Sequence, residues 1–584
     1  MRTLVKASSS GTSVGVVTTV ESCKFHLICW VSLIAIAFVK AWFTRDFVNA
    51  DAVSYLDISR MIVHGNPRAA INACWSPGYT LLLAAFFGLI RPSIYWESTV
   101  AHLVNVFIFA GALAGFYLFW SEVRRCHLDR TKPEGIELPE STFWILGYSI
   151  FAVCTLNVIS LAFIGPDLAV AALCCFAGWS ALRLRRAPGT GSALLLSVIL
   201  ALGYYVKAPF LPMGFMFVVC SCLGRPALSR RLFSGALAIT VFSLLCSPYI
   251  AALSQMKERF TFGDSARLNH AFYLDGVQKF QHWQGGPAGA GQPVHPTRKL
   301  NAFPQIYEFA AGDMGTYPPW FDPTYWYEGI TPRLHWKLQA KVLAANFAKT
   351  FQIVMESATV PAVAAIILCL LSQNPMRLRQ FWPIWMPGAI ALLMFALVHV
   401  EPRYLGGWLI LLFGGLVCTF TLPTGSGARY TVRQIGLAIL LASGATLTSE
   451  MFHEVIASGG PTQNSSNFVI AVSLNKSGLH PGDSVAIIGD GADGSYWAHL
   501  AHLRVIAEIP ADLWSPEAHP ARDFWDSGTE KQQEALEILQ QTGARAVIAG
   551  SQSSALGSTP SDVPPPWSKI DGTWAYVYFF HDGP

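Results

Sequence analysis

Apolar stretches and polar segments alternate along this chain on the scale of a membrane. Eleven apolar runs lie near 25–43, 99–120, 141–164, 168–183, 192–206, 208–223, 232–253, 351–372, 381–400, 404–422 and 434–452. A helix rises ~1.5 Å per residue and a bilayer core is ~30 Å thick, so about 20 apolar residues span it. The runs of only 15–16 residues predict tilted, short or partly broken spans. A further run, PGYTLLLAAFFGLI (77–90), is shorter still and predicts an interfacial or re-entrant helix.

Composition agrees with this pattern. Hydrophobic residues make up 52% and charged residues 13%, too little charge to cover a soluble protein of 584 residues. The 19 Trp, 18 Tyr and 37 Phe exclude a disordered chain. The expected fold class is an all-α polytopic membrane protein of about eleven spans with a small C-terminal extracytoplasmic α/β domain. Twelve cysteines lie mostly in apolar runs and form no disulfide framework or metal pattern.

Charge then orients the spans. With the N-terminus cytoplasmic, one side collects Arg2, Lys6, Lys24, Arg124, Arg125, Arg130, Lys132, Arg183, Arg185, Arg186, Arg225, Arg230, Arg231, Arg377, Arg379, Arg429 and Arg433. That distribution satisfies the positive-inside rule and its inverse does not. The implied organisation is a cytoplasmic segment 1–24 and a membrane core 25–253 with a first outer loop at 44–98. A long extracytoplasmic loop 254–350, further spans over 351–452 and an extracytoplasmic domain 453–584 complete it. Residues 453–584 hold 15 acidic and 6 basic side chains, although the whole chain is +4. A basic body with an acidic end suggests two compartments and no nucleic-acid partner.

Within 453–584, SVAIIG (484–489), RVIAEI (504–509), RAVIAG (545–550) and TWAYVYFF (573–580) predict strands, with helices near 495–502 and 530–542. Gly489, Gly491 and Gly494 spell G-x-G-x-x-G, and Glu508 ends the next strand. Asp490 and Asp493 inside that loop would repel a pyrophosphate, so a plain Gly-rich turn is the preferred reading.

Candidate chemistry gathers on the outer side. Asp51 follows the first span, with Tyr55 one helical turn on and Asp57 beyond it; such an acid suits a base or a helix cap. Asp167 stands after Pro166 as a helix start or a functional acid. Lys207 interrupts an apolar run, either as a functional cation or a snorkelling one. Arg403, between Glu401 and Tyr404, suits a phosphate or a local ion pair, and Tyr404 also suits an interfacial aromatic belt. The segment GTYPPWFDPTYWYEG (315–329) offers Trp320, Asp322, Trp326 and Glu328, as a sugar-binding surface or a bilayer-surface segment. No histidine spacing indicates a metal. Together, two acids, a Lys and an Arg on one membrane face suit displacement of a phosphate leaving group.

In NADAVSYLDIS, WSPGY (75–79), FIGPDLAVAAL, YYVKAPF and EPRY, in this order, the sequence resembles the GT-C superfamily of integral-membrane glycosyltransferases. It looks most like bacterial members related to protein mannosyltransferases and to lipopolysaccharide or lipid A sugar transferases. The resemblance covers roughly 25–420 and implies an inverting glycosyltransferase. Asp51 would be the base and Asp167 its support, with Lys207, Arg403 and Tyr404 at the lipid phosphate. Tyr55, Trp320, Asp322, Trp326 and Glu328 are the expected acceptor or sugar contacts. The implied partners are a polyprenyl-phosphate-linked sugar, membrane lipids and an extracytoplasmic acceptor. The resemblance fixes no cofactor and leaves room for a divalent cation. The same acids also suit a proton-coupled transporter or lipid flippase, and the α/β domain a non-catalytic assembly partner.

Overall fold

The computed structural model describes residues 12–131, 138–223, 228–277, 279, 282–309, 314–371, 375–419, 426–457, 463–511, 519–550, 563 and 565–580. Of the basic residues that orient the chain, Arg2, Lys6, Lys132 and Arg225 lie outside them, as do the side chains of Arg130, Arg377 and Arg429.

Among the described residues, seven helices are long and apolar enough to cross a membrane: Cys23–Phe43, Ile94–Leu128, Glu140–Ile159, Asp167–Arg186, Leu228–Met256, Pro402–Thr419 and Tyr430–His453. Four further apolar helices, Pro77–Ile90, Thr190–Val206, Phe210–Cys222 and Trp382–Ala396, have 10–17 residues. The chain is a multi-pass membrane protein.

One expected span is divided. The apolar run 351–372 belongs to two helices, Trp336–Ser357 and Thr359–Leu371. Pro361 has no N–H to give the Ser357 carbonyl, and its ring would clash there, so the first helix stops at Ala358.

The helices pack through small residues. Gly407 on Pro402–Thr419 lies so close to Asp167–Arg186 that an added Cβ would stand 2.8 Å from the Ala171 Cα. Without a hydrophobic drive between helices in lipid, such close backbone approach is what holds them together. Trp408 and Trp120 are fully buried in the same core.

A seven-stranded sheet completes the fold: β1 (Arg298–Ala302), β2 (Gln305–Glu308), β3 (Ser484–Gly489), β4 (Arg504–Pro510), β5 (Ala546–Ala549), β6 (Ser568–Lys569) and β7 (Tyr576–Phe579). The order is β1-β2-β4-β3-β5-β7-β6. The centre, β4-β3-β5, is parallel and strongly apolar, because helices cover it. The flanking strands are antiparallel. Strands β3, β4, β5 and β7 fall where the sequence predicts them. Strands β1 and β2 come from the long loop 254–350, and β2 pairs with β4 through Tyr307↔Glu508.

Candidate active site

Three of the four expected charged residues stand at helix junctions marked by proline. Asp167 opens the helix Asp167–Arg186 directly after Pro166; an acid in a first turn and Arg183, Arg185 and Arg186 in the last both suit the helix dipole. Lys207 ends Thr190–Val206 in an extended conformation, two residues before Pro209. Pro209 has no N–H to give the Tyr205 carbonyl and its ring would clash there, which ends that helix inside the apolar run. Arg403 follows Pro402, the first residue of Pro402–Thr419. Asp51 lies in the first turn of the helix Ala50–Val63.

These junctions meet. Arg403 Nη2 donates to Asp51 Oδ2 at 2.8 Å, and its Nη1 lies 3.9 Å from Asp167 Oδ2. Lys207 Nζ donates to Asp167 Oδ1. The Lys207 ammonium also lies 4.2 Å from the centre of the Tyr404 ring, and the Arg403 guanidinium 5.4 Å from it, so the aromatic face supports both cations. The local Glu401–Arg403 pair does not form. Glu401 pairs with His399 Nε2 at 2.8 Å, and His399 stacks on Tyr273 at 3.9 Å between ring centres.

Trp320 comes to the same place. Its indole N–H donates to Asp51 Oδ1 at 3.2 Å. Ser54 Oγ donates to the Trp320 carbonyl at 2.9 Å, tying this loop to the Asp51 helix. Tyr55 is buried edge-on between Trp75 and Tyr79, with ring centres at 5.3 and 5.2 Å. It shapes the floor under Asp51.

The other aromatic-segment candidates are used inside the loop. Asp322 caps the turn Pro323–Trp326, accepting from the Thr324 and Tyr325 N–H groups at 3.0 and 3.2 Å. Trp326 donates to the Pro318 carbonyl at 2.9 Å. Glu328 sits among Lys257, Arg259 and Arg267 at 3.1, 3.2 and 3.7 Å. None of the three lines the cavity over Asp51.

That cavity holds about 190 Å³ and is lined by Asn49, Ala50, Asp51, Phe163, Trp320, Glu401, Arg403, Asp490, Ala492 and Asp493. The last three belong to the Gly-rich turn after β3. Gly491 is required there, since a Cβ would lie 2.5 Å from both Tyr317 and Glu508. Glu508, at the position of a ribose-binding acid, is instead a structural anchor. It accepts from the Tyr317 hydroxyl at 2.9 Å and pairs with His282 Nε2 at 2.7 Å. Sequence reasoning treated Asp490 and Asp493 only as obstacles to a nucleotide. Their signal is two acids in one Gly-rich turn, and nothing in the chain says which surface the turn meets.

A second buried charge group joins the sheet to the first outer loop. His499 bridges Asp57 at 2.7 Å and Glu97 at 3.1 Å, and Glu97 also pairs with Arg60 at 3.2 Å. The two hydrogen-bonded carboxylates overcome burial and raise the His499 imidazole to about 9. Asp57 further accepts from the Thr316 N–H at 2.7 Å and its hydroxyl at 2.9 Å.

Among the described residues, no group of three or more His, Cys, Asp or Glu side chains is placed to hold a metal ion. Asp51 and Asp167 face Arg403 and Lys207 instead, so the cluster as built does not fit a resident cation.

No protein-family model and no curated protein matches the chain. Solved structures similar to it include the following two. ArnT from Cupriavidus metallidurans, bound to undecaprenyl phosphate, aligns over 95% of this chain and 97% of its own, at 12% identity and a TM-score of 0.51. The Archaeoglobus fulgidus oligosaccharyltransferase, tethered to an acceptor peptide, aligns over 90% of this chain and 69% of its own, at 12% identity and a TM-score of 0.41. Near-complete mutual coverage of the first shows that this chain shares the fold of ArnT.

Proposed function

We propose that this protein is a membrane glycosyltransferase that moves a sugar from a polyprenyl-phosphate donor to an extracytoplasmic acceptor with inversion at the anomeric carbon. One observation carries the reading. Arg403 reaches both Asp51 and Asp167, and Lys207 reaches Asp167, so a candidate base and two candidate phosphate-binding cations share one ion-pair cluster. The fold shared with ArnT, whose structure holds undecaprenyl phosphate, supports a lipid-phosphate ligand at these cations.

The chemistry follows from the charges. Lys207 and Arg403 exchange part of their carboxylate contacts for the donor phosphate, Arg403 presenting a planar fork and Lys207 a compact charge. Asp51, fixed by Arg403 and by the Trp320 N–H, accepts the proton of an acceptor hydroxyl. That oxygen bonds to the anomeric carbon as the bond to the phosphate oxygen breaks. The polyprenyl phosphate leaves with the electron pair, and the two cations take up its charge. Asp167 holds Lys207 in place between turnovers.

The test is mass spectrometry of lipid-linked sugars and surface glycans from cells with the gene, without it, and with Asp51→Asn. The expected result is a missing glycan sugar and an accumulated lipid-linked sugar in both defective strains, with transfer by Asp51→Asn down ~10²-fold or more. Unchanged glycans, with a lipid stranded on one leaflet, would make the protein a transporter and Asp51 a relay acid.

A further inference from the structure

The turn after β3 lines the reaction cavity and carries a buried carboxylate oxygen that the protein leaves unsatisfied. Asp490 lines the cavity with Asp51 and Arg403 and is itself only 8% exposed. Its Oδ1 is spent on the N–H groups of Ala492 and Asp493, at 3.0 and 3.2 Å. Its Oδ2 is buried without a hydrogen-bond partner among the described residues, and so is Asn49 Oδ1 on the same cavity wall. Asp493 lines the same cavity as Ala50, at the start of the helix that carries Asp51. A buried acceptor with nothing to accept is costly, and native proteins seldom leave one without reason. Burial, together with Asp493 and Glu508, lifts the Asp490 carboxyl to about 6.

The wall is one of acceptors. Asp490, Asn49, Asp493 and Glu401 all line the cavity together with Arg403. A phosphate there would be repelled, whereas a ring bearing hydroxyl groups would supply the missing donors. About 190 Å³ is room for one small ring, below the ~300–1,000 Å³ usual for larger ligands.

We propose that the sheet domain completes the donor site: Asp490 Oδ2 and Asn49 Oδ1 accept hydrogen bonds from hydroxyls of the donor sugar while its phosphate lies at Arg403 and Lys207. This assignment rests on the proposed sugar transfer and adds a sugar-binding residue from the far end of the chain.

Asp490→Ser separates binding from turn formation, because a serine hydroxyl still caps Ala492 and Asp493 but carries no second oxygen. Asp490→Asn, which keeps the shape and the cap, is the companion variant should Asp490→Ser not purify as a single species. The full-length chain is purified and its melting followed with bare undecaprenyl phosphate and with a lipid extract of gene-deleted cells, in which the sugar-bearing donor accumulates. Wild type is stabilised more by the extract. Asp490→Ser is expected to respond normally to bare lipid, to lose the extra stabilisation, and to lower glycan transfer in cells about 10- to 100-fold. Full transfer by both variants beside an inactive Asp51→Asn would reduce Asp490 to a turn cap. Lost transfer with an undiminished response to the extract would remove the donor sugar as its ligand. Normal transfer by Asp51→Asn, or a wild type indifferent to both lipids, would sink the proposed reaction itself and this assignment with it.

Discussion

Two buried charge groups stand side by side in this protein, and they are built on opposite plans. The Asp57–His499–Glu97 group is closed: its side chains are 8%, 2% and 7% exposed, and both imidazole nitrogens have a carboxylate partner. The Asp51–Arg403–Asp167–Lys207 group is open, with Arg403 19% and Lys207 24% exposed beside a cavity. A closed, fully paired group returns its desolvation cost only as rigidity and registry. An open group leaves donors on Arg and Lys for a ligand. Position in the sequence does not separate them, since Asp51 and Asp57 share one helix.

The sharpest way to break the comparison is to neutralise the open group. Arg403→Gln should lower transfer by about 10²- to 10³-fold, as expected for losing a group that meets developing charge, while the melting temperature changes little. Glycan mass spectrometry and a thermal melt read the two effects separately. A large fall in melting temperature with modest loss of transfer would mean that this group, too, is structural.

His499→Ala should do the reverse. It strands two buried carboxylates, at a cost of ~3–5 kcal/mol, and should loosen the sheet domain, detectable as faster proteolytic release of the C-terminal part. The sign with pH follows from the direction of the shift. The His499 imidazole is raised from 6.5 to about 9 in the folded protein, so its stabilisation is complete below about 6.5 and is lost as pH rises through 9. Proteolytic release from wild type should therefore quicken between these values, and the His499→Ala rate should be flat across them.

The smallest effect is expected at Glu328→Gln. Glu328 faces Lys257, Arg259 and Arg267 away from the Asp51 cavity, so transfer should stay within about threefold of wild type while stability falls modestly. A transfer defect as large as that of Arg403→Gln would return Glu328 to the sugar site.

Much of this was legible before the fold. Apolar runs marked the helices, and Asp51, Asp167, Lys207 and Arg403 stood out as charges beside such runs. Asp167 could be read from Pro166 before it, Lys207 from the apolar run it interrupts and Arg403 from the chemistry of its guanidinium. Their pairing was not legible: Arg403 meets Asp51 across 352 residues, and no local rule fixes that contact. Strands β1 and β2 escaped for a related reason. RKLNA and QIYE are short and largely polar, and become a sheet edge only by pairing with β4 from the far end of the chain. Among the aromatic candidates, Trp320 and Trp326 look alike in sequence. One indole meets Asp51 and the other its own loop, because each follows a different short helical turn.

The strand order has a consequence for biosynthesis. β2 is made long before its neighbour β4, which arrives only after several further helices have been made. Until then the hairpin β1–β2 waits with an open edge, and chains halted before residue 504 keep that edge bare. Short, polar strands are poor templates for stray pairing, so the sequence of this hairpin guards the interval between its own synthesis and the arrival of its partner.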